Sequence, residues 1–359
     1  MDRCKSNKFI YGIGQFSRSS PWPSQIAGDI MTFVSRRGLL AGSAALAAAT
    51  GLPLAGSSRA AAPLAGKQAP GFYRYQVGDF EVSVISDGAL RFPVEGFVTN
   101  ASTDQVKAAL TAAFRSTDGL TVPFTPIVVN TGPRLILIDT GLGDAAVERT
   151  KGTAGQFAAN LKAAGLDRGD IDAVVISHFH VDHVDGLLTA DNKPAFPNAE
   201  IFVPAAELKF WMDDGEMSRA PKGRIEGLFK NTRRIIGALG GKVTPFEAGK
   251  EVVPGLTAVA TPGHSVGHTS FVLSSRGKSV FVQGDVAHIP VLFVENPSWH
   301  AAIDQDPVMA EATRRKIYDM LVAEKMLVQG FHYPFPALAH VERTANGYRE
   351  ILVPWSTSI

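Results

Sequence analysis

"HFHVDH", residues 178–183, puts three histidines and an aspartate into six positions, directly behind the apolar run "AVVIS" of residues 173–177. Protonating one imidazole disfavours protonating the next, so rings crowded in this way are suited to staying neutral and offering lone pairs to a shared cation. A short apolar run that ends in such a loop reads as a buried strand delivering its chemistry at one end. Extended backbone sends His178 and His180 to one side. Asp182 and His183 follow one turn later and point at a neighbouring position.

The same design recurs along the chain. "LTAVATPG" ends at His264, "SVFVQG" at Asp285 and "KMLVQGF" at His332. Strand ends on one side of a sheet converge, so these residues can meet in one cleft. His178, His180, Asp182, His183, His264, Asp285 and His332 are too many for one tetrahedral ion, but they suit two ions that share a carboxylate. The expectation is that His178, His180 and His264 hold one divalent ion and Asp182, His183 and His332 the other, with Asp285 between them. A lone histidine after a strand is usually structural; five of nine falling into one pattern outweigh that reading. The other four, His268, His288, His300 and His340, are read as hydrogen-bonded structure or surface, with His268 and His288 placed to brace ligands from behind.

Outward from these loops, strands alternate with helices. "YQVGDFEVSVISDG" predicts two strands turning at Gly78-Asp79, and "PIVVNTGPRLILIDTG" a hairpin turning at residues 131–133. "STDQVKAALTAAF" predicts a helix capped by Ser102 or Thr103; "DPVMAEATRRKIYDMLVAE" predicts one capped by Asp306 with Pro307 at its first position. "EIFVP", "TSFVLSS" and "REILVP" read as further strands, and "PAAELKFWM" and "RIEGLFKNTRRIIGAL" as helices.

The first sixty residues do not read as fold. Ser35-Arg36-Arg37-Gly38-Leu39-Leu40 is a twin-arginine pattern; a weakly apolar stretch follows, with small residues at Ser58 to Ala60 for cleavage. Residues 1–60 are therefore expected to be an export leader, with Met1 and Met31 both open as starts. Residues 61–71 are expected to be a Pro/Gly/Ala linker and residues 72–359 one domain, periplasmic or secreted. The leader holds seven of the 35 basic and two of the 34 acidic residues, which leaves 28 against 32, a net charge of −4. That balance offers no phosphate-backbone track, so nucleic acid is not an expected partner. Cys4, the single cysteine, lies within the leader, so any metal must be held by His, Asp or Glu.

HxHxDH followed by "TPGHSVGH", "GDV" and a final histidine resembles the metallo-β-lactamase superfamily from Phe72 to the C-terminus. The resemblance implies an α/β fold, an αβ/βα four-layer sandwich of two mixed sheets with helices outside, and a dinuclear site at one edge of the sheets. It implies a homodimer, and it gives Asp139 a supporting place behind the ligands, as His268 would have. Asp285 argues against the β-lactamases themselves, the absence of Glu from the motif against the redox di-iron branch, and the short chain after Asp285 against glyoxalase II. "GFHYPFPALAH" around His332 looks like methyl parathion hydrolase, so the expected activity is hydrolysis of neutral organophosphate triesters. Lactonase (acyl-homoserine lactone type) and carboxyl or aryl esterase activity are the alternatives. By that likeness Trp211 and Phe229 are candidates for an aromatic leaving-group pocket. Two divalent ions, Zn²⁺ by default and Mn²⁺, Co²⁺ or Fe²⁺ as alternatives, would lower the pKa of a shared water toward ~7 and supply the attacking hydroxide. Asp182 and Asp285 are the catalytic carboxylates, and Asp182 or a bound water could return a proton to a leaving lactone alkoxide. The ions themselves would stabilise developing charge, so no arginine oxyanion clamp is required.

Overall fold

Period-two alternation decides which face of each strand is buried, and it assigns the strands to two sheets. The computed structural model describes residues 64–66 and 68–359; the expected leader and part of the linker lie outside the described residues. Among the described residues sixteen strands follow in chain order. β1 (Phe72–Val77), β2 (Phe80–Ile85), β5 (Ile127–Asn130), β6 (Leu135–Ile138), β7 (Ala173–Val175), β8 (Glu200–Pro204) and β9 (Thr244–Phe246) form one seven-stranded sheet. A second holds β10 (Glu251–Val253), β11 (Leu256–Ala260), β12 (Thr269–Ser275), β13 (Lys278–Val282), β14 (Leu327–Gln329), β15 (Leu338–Arg343) and β16 (Tyr348–Leu352). β3 (Gly88–Phe92) and β4 (Leu120–Phe124) pair as a separate antiparallel ribbon.

Val82, Val84, Ile127, Val129, Ile136 and Ile138 turn inward to meet Leu256, Phe271, Leu273, Val280 and Val282 of the other sheet in one buried cluster. Their neighbours Ile85, Val128 and Leu137 turn outward, against Phe157 and Leu161 of helix Phe157–Ala163, Trp211 of helix Ala205–Met212 and Phe229 of helix Arg224–Ala238. On the far side Phe281 and Val328 turn outward against Ile317, Tyr318 and Leu321 of helix Pro307–Glu324. Helix, sheet, sheet and helix are thus stacked, with each fully buried Val, Leu, Ile or Phe contributing ~1.5–3 kcal/mol. This is the αβ/βα sandwich expected from the motifs.

The local signals act as read. Ser102 accepts from the Gln105 N–H in a reciprocal capping box, and Asp306 accepts from the Met309 N–H with Pro307 in the first turn. β1 and β2 pair across Gly78-Asp79, and β5 and β6 across the turn at 131–134. Among the described residues no helix is long and apolar enough to cross a membrane.

Strand direction places the site. β6, β7 and β8 run parallel, so their C-terminal ends share one edge. In the second sheet β11 and β13 are both antiparallel to β12, and β14 is parallel to β13, so these three also end together.

Candidate dinuclear metal centre

Behind β7, Ser177 and His178 leave the sheet, and Asp182 and His183 sit in a single helical turn, Val181–Val184. The His183 carbonyl accepts from both the N–H and the hydroxyl of Thr140 (2.9 and 2.8 Å), which ties that turn to the loop after β6. Asp285 follows β13 through Gly284, whose φ of +54° suits glycine and whose Cβ would lie 2.7 Å from His268 Nε2. That histidine ring in turn accepts from the Asp285 N–H at 2.9 Å.

The predicted ligands fall into the two expected groups. One potential ligand atom each from His178, His180, His264 and Asp285 lies within 4.8 Å of the others, and the same holds for Asp182, His183 and His332. Asp285 stands between the groups. Its Oδ2 is 3.1 Å from Nε2 of both His264 and His332, and its Oδ1 is 3.3 Å from His183 Nε2. A dinuclear His/Asp site for divalent metal is therefore present. Metal is the fitting occupant because His178 Nε2, His183 Nε2 and Asp285 Oδ1 are buried and make no hydrogen bond to protein.

The outer atoms of the rings show how each lone pair is aimed. Nδ1 of His183 donates to Asp139 Oδ2 (2.8 Å), Nδ1 of His264 to Asp304 Oδ1 (2.8 Å) and Nδ1 of His332 to the Pro123 carbonyl (2.8 Å). Nδ1 of His178 meets the Ser177 hydroxyl at 3.0 Å, and that hydroxyl donates to Asp139. These four rings thus carry the proton on Nδ1 and turn a bare Nε2 inward. His180 is reversed: its Nδ1 faces inward, 2.7 Å from His264 Nε2.

Burial and crowding set the protonation. Burial, then neighbouring imidazoles, hold His178 and His180 well below the usual histidine range. At His183 and His264 burial acts in the same direction but is outweighed by carboxylates, Asp285 foremost, so both are raised, His264 to about 9. Asp285 is held well below the usual carboxylate range; burial opposes this and His332, His183 and His264 overcome it. So many competing charges around one buried carboxylate are the setting into which cations fit, each replacing protons that the rings cannot all carry.

His268 is pushed down to about 3 by burial and by His264, and serves as a neutral brace between Thr261 and Asp285. Asp139, with φ +56° in a region that aspartate tolerates, accepts from the Ser177 N–H, the Ser177 hydroxyl and His183. His288 lies inside the cluster, fully buried, with Nε2 3.3 Å from Asp285 Oδ2 and neither ring nitrogen hydrogen-bonded. His300 pairs with Glu311 at 2.9 Å and His340 is exposed on β15; neither belongs to the site.

Above the ligands lies a cavity of about 150 Å³, with His180, Asp182, His264, Asp285 and His332 in its lining. Phe92 and Phe124 of the β3–β4 ribbon, Phe97, Leu228 and Ile303 form an apolar wall, and Arg224 is also in the lining. The expected aromatic pocket of Trp211 and Phe229 is not part of it. Both residues are fully buried in the helical layer, with ring centroids 4.7 Å apart. Phe229 stands one residue, ~100° of helix rotation, away from Leu228, which does line the cavity. Trp211 gives its Nε1–H to Glu207 at 2.7 Å.

Some supporting residues carried no clear signal in the sequence. Buried Glu207 also accepts from the Phe179 and Gly267 N–H groups and the Ser265 hydroxyl, joining the loops that bear His180 and His264. Asp304 was open to notice as the first acid of "DQDP", but its partner His264 is 40 residues away.

The Metallo-beta-lactamase superfamily profile matches residues 125–326, more than half of the chain and all of the predicted ligands but His332. The chain belongs to the metallo-beta-lactamase superfamily. It is a metal-dependent hydrolase of that superfamily. An N-acyl homoserine lactonase of Bacillus thuringiensis is 25% identical over 225 residues, covering 58% of this chain and 80% of the relative. One from Bacillus cereus is 27% identical over the same span. Among solved structures, a hydrolase in the beta lactamase superfamily, AbOPH, has a TM-score of 0.75 at 27% identity, covering 81% of this chain and all of that one. A dizinc quorum-quenching lactonase in complex with a product, N-hexanoyl-L-homoserine, has 0.74 at 26%, covering 80% and 99%. These relatives overturn the placement beside methyl parathion hydrolase. The likeness around His332 is a short stretch, whereas the lactonase likeness extends over 58% of the chain in sequence and 80% in structure.

Proposed function

We propose that the protein is a lactonase that opens the ester ring of N-acyl homoserine lactones. The observation that carries this reading is the likeness, over four fifths of the chain, to a dizinc lactonase holding the ring-opened product. A narrow cavity with its polar groups gathered at one end and apolar walls above them supports it. His178, His180 and His264 would hold one ion and Asp182, His183 and His332 the other, with Asp285 shared; zinc suits this thiolate-free His/Asp set. When bound, the ions polarise the scissile carbonyl and make a water nucleophilic near neutral pH.

The chain's own residues do the rest. Asp139 and Asp304 fix the tautomers of His183 and His264, so that each presents a lone pair inward. Asp182, with 18% of its side chain open, borders the cavity and is placed to return a proton to the leaving alkoxide, which stays tethered to the product. The apolar wall takes the acyl chain and keeps bulk water from the reacting ester.

The twin arginines Arg36 and Arg37 support action outside the cytoplasm, after export as a folded, metal-loaded body. Changing both to lysine should strand precursor in the cell. The lactonase reading is tested by assaying purified protein on N-hexanoyl homoserine lactone and on an aryl phosphotriester. The expected result is a lactone kcat/KM at least about a hundredfold higher, a difference of ~2.7 kcal/mol in transition-state binding. Equal or better turnover of the phosphotriester would overturn it.

A further inference from the structure

Arg224 is the cationic side chain in the lining of the cavity, and the metal chemistry gives it no task. It opens helix Arg224–Ala238, behind Gly223 with φ +94°, and Leu228 one turn later lines the same cavity. The residue is exposed as a whole and also borders the cavity. Nη2 donates to the Ile303 carbonyl at 3.0 Å and lies 3.5 Å from Nε2 of His180. A guanidinium has five N–H donors. Ile303 takes one of them, and among the described residues no carboxylate lies within ion-pair distance of the group.

Its position limits what it can touch. His180 faces the ligand cluster with Nδ1 and Arg224 with Nε2. The guanidinium is therefore one imidazole ring away from the ions' place, too far aside to meet an oxygen reacting there. It is well placed for a second acceptor a few bonds from the scissile carbonyl. The rest of the wall, from Phe92 to Leu228 and Ile303, offers only apolar contact.

We propose that Arg224 is a specificity-determining residue that receives the amide oxygen of the acyl side chain, so that the enzyme selects lactones bearing an amide beside the ring. This rests on the lactonase reading and adds to it the residue that reads the amide: an ester at the ions, a carbonyl acceptor at Arg224 and an apolar tail along the wall. A hydrogen bond from a charged donor to a carbonyl carries about ten- to hundredfold in selectivity. Because the contact lies away from the reacting atoms, its loss falls on KM.

The test compares N-hexanoyl homoserine lactone with γ-decalactone, which has as many carbons and no amide, on the wild type, Arg224→Met and Arg224→Lys. Melting temperature and metal content establish that the variants are folded and loaded. The expected result is a wild-type preference for the amide lactone of at least tenfold. That ratio should collapse toward one in Arg224→Met through KM and be partly restored in Arg224→Lys, which keeps a charged donor. A ratio that survives Arg224→Met, or equal proportional losses on both lactones, would overturn the proposal while the lactonase reading stands. Wild-type protein that opens neither lactone would overturn both.

Discussion

On the floor of the cavity, His183 and His264 are each fixed from behind by a buried carboxylate, and Asp285 by the His268 ring at its backbone N–H. On the wall, Phe92, Leu228 and Ile303 are placed by packing alone, and Arg224 by one carbonyl at 3.0 Å. The difference separates two properties of the enzyme. A floor in which most donors have a partner behind them determines whether metal is held and whether any ester is cleaved. A wall held by packing can change without disturbing the ions, and so it sets which ester is cleaved. Substitutions in the two regions should differ in kind as well as in size.

The largest effect is expected at Asp285, which among the described residues is the carboxylate in contact with both ligand groups. Asp285→Ala should lower kcat/KM about a thousandfold for every substrate, the scale on which loss of a preorganised charge is felt. Metal analysis alongside the kinetics should show sites emptied rather than a protein unfolded. Next is Asp304→Asn, which takes the charged acceptor from behind His264. Metal affinity should fall ~10–100-fold in a chelator competition, with activity recovering in excess metal. An unchanged affinity would mean that the floor does not depend on its outer carboxylates.

Wall substitutions should be milder and selective. Leu228→Ala should raise KM for N-hexanoyl homoserine lactone roughly tenfold, with two ions retained, since the lost apolar contact is worth ~1.5 kcal/mol. A loss of metal in this variant would break the separation of floor from wall. The smallest effect on catalysis belongs to Trp211→Phe. The indole donates to Glu207 and lies in the core, so the change should cost ~1–2 kcal/mol in stability, read as a lower melting temperature, with KM unaltered.

The same division governs what the sequence discloses. The floor is legible because its ligands sit at the ends of apolar runs, and four of them lie within HFHVDH. Strand alternation and helix caps are also written locally, so the β1–β2 and β5–β6 turns, the Ser102 cap and the Asp306 cap follow from short stretches. The wall depends on tertiary placement. β3 and β4 pair although helix Thr103–Ala112 intervenes, so no hairpin signal announces the ribbon that carries Phe92 and Phe124. The amphipathic pattern of helix Arg224–Ala238 identifies a helix but not which of Leu228 and Phe229 meets the cavity. The partners of Arg224 at His180 and of Asp304 at His264 are 44 and 40 residues away, beyond any local pattern.

The measurement closest to the central claim is the metal content of the purified protein after supply of divalent zinc. Seven side chains in two groups around Asp285 require two ions per chain, and two is the value this account predicts. A content of one ion, with the seven side chains unaltered and metal in excess, would contradict the dinuclear centre.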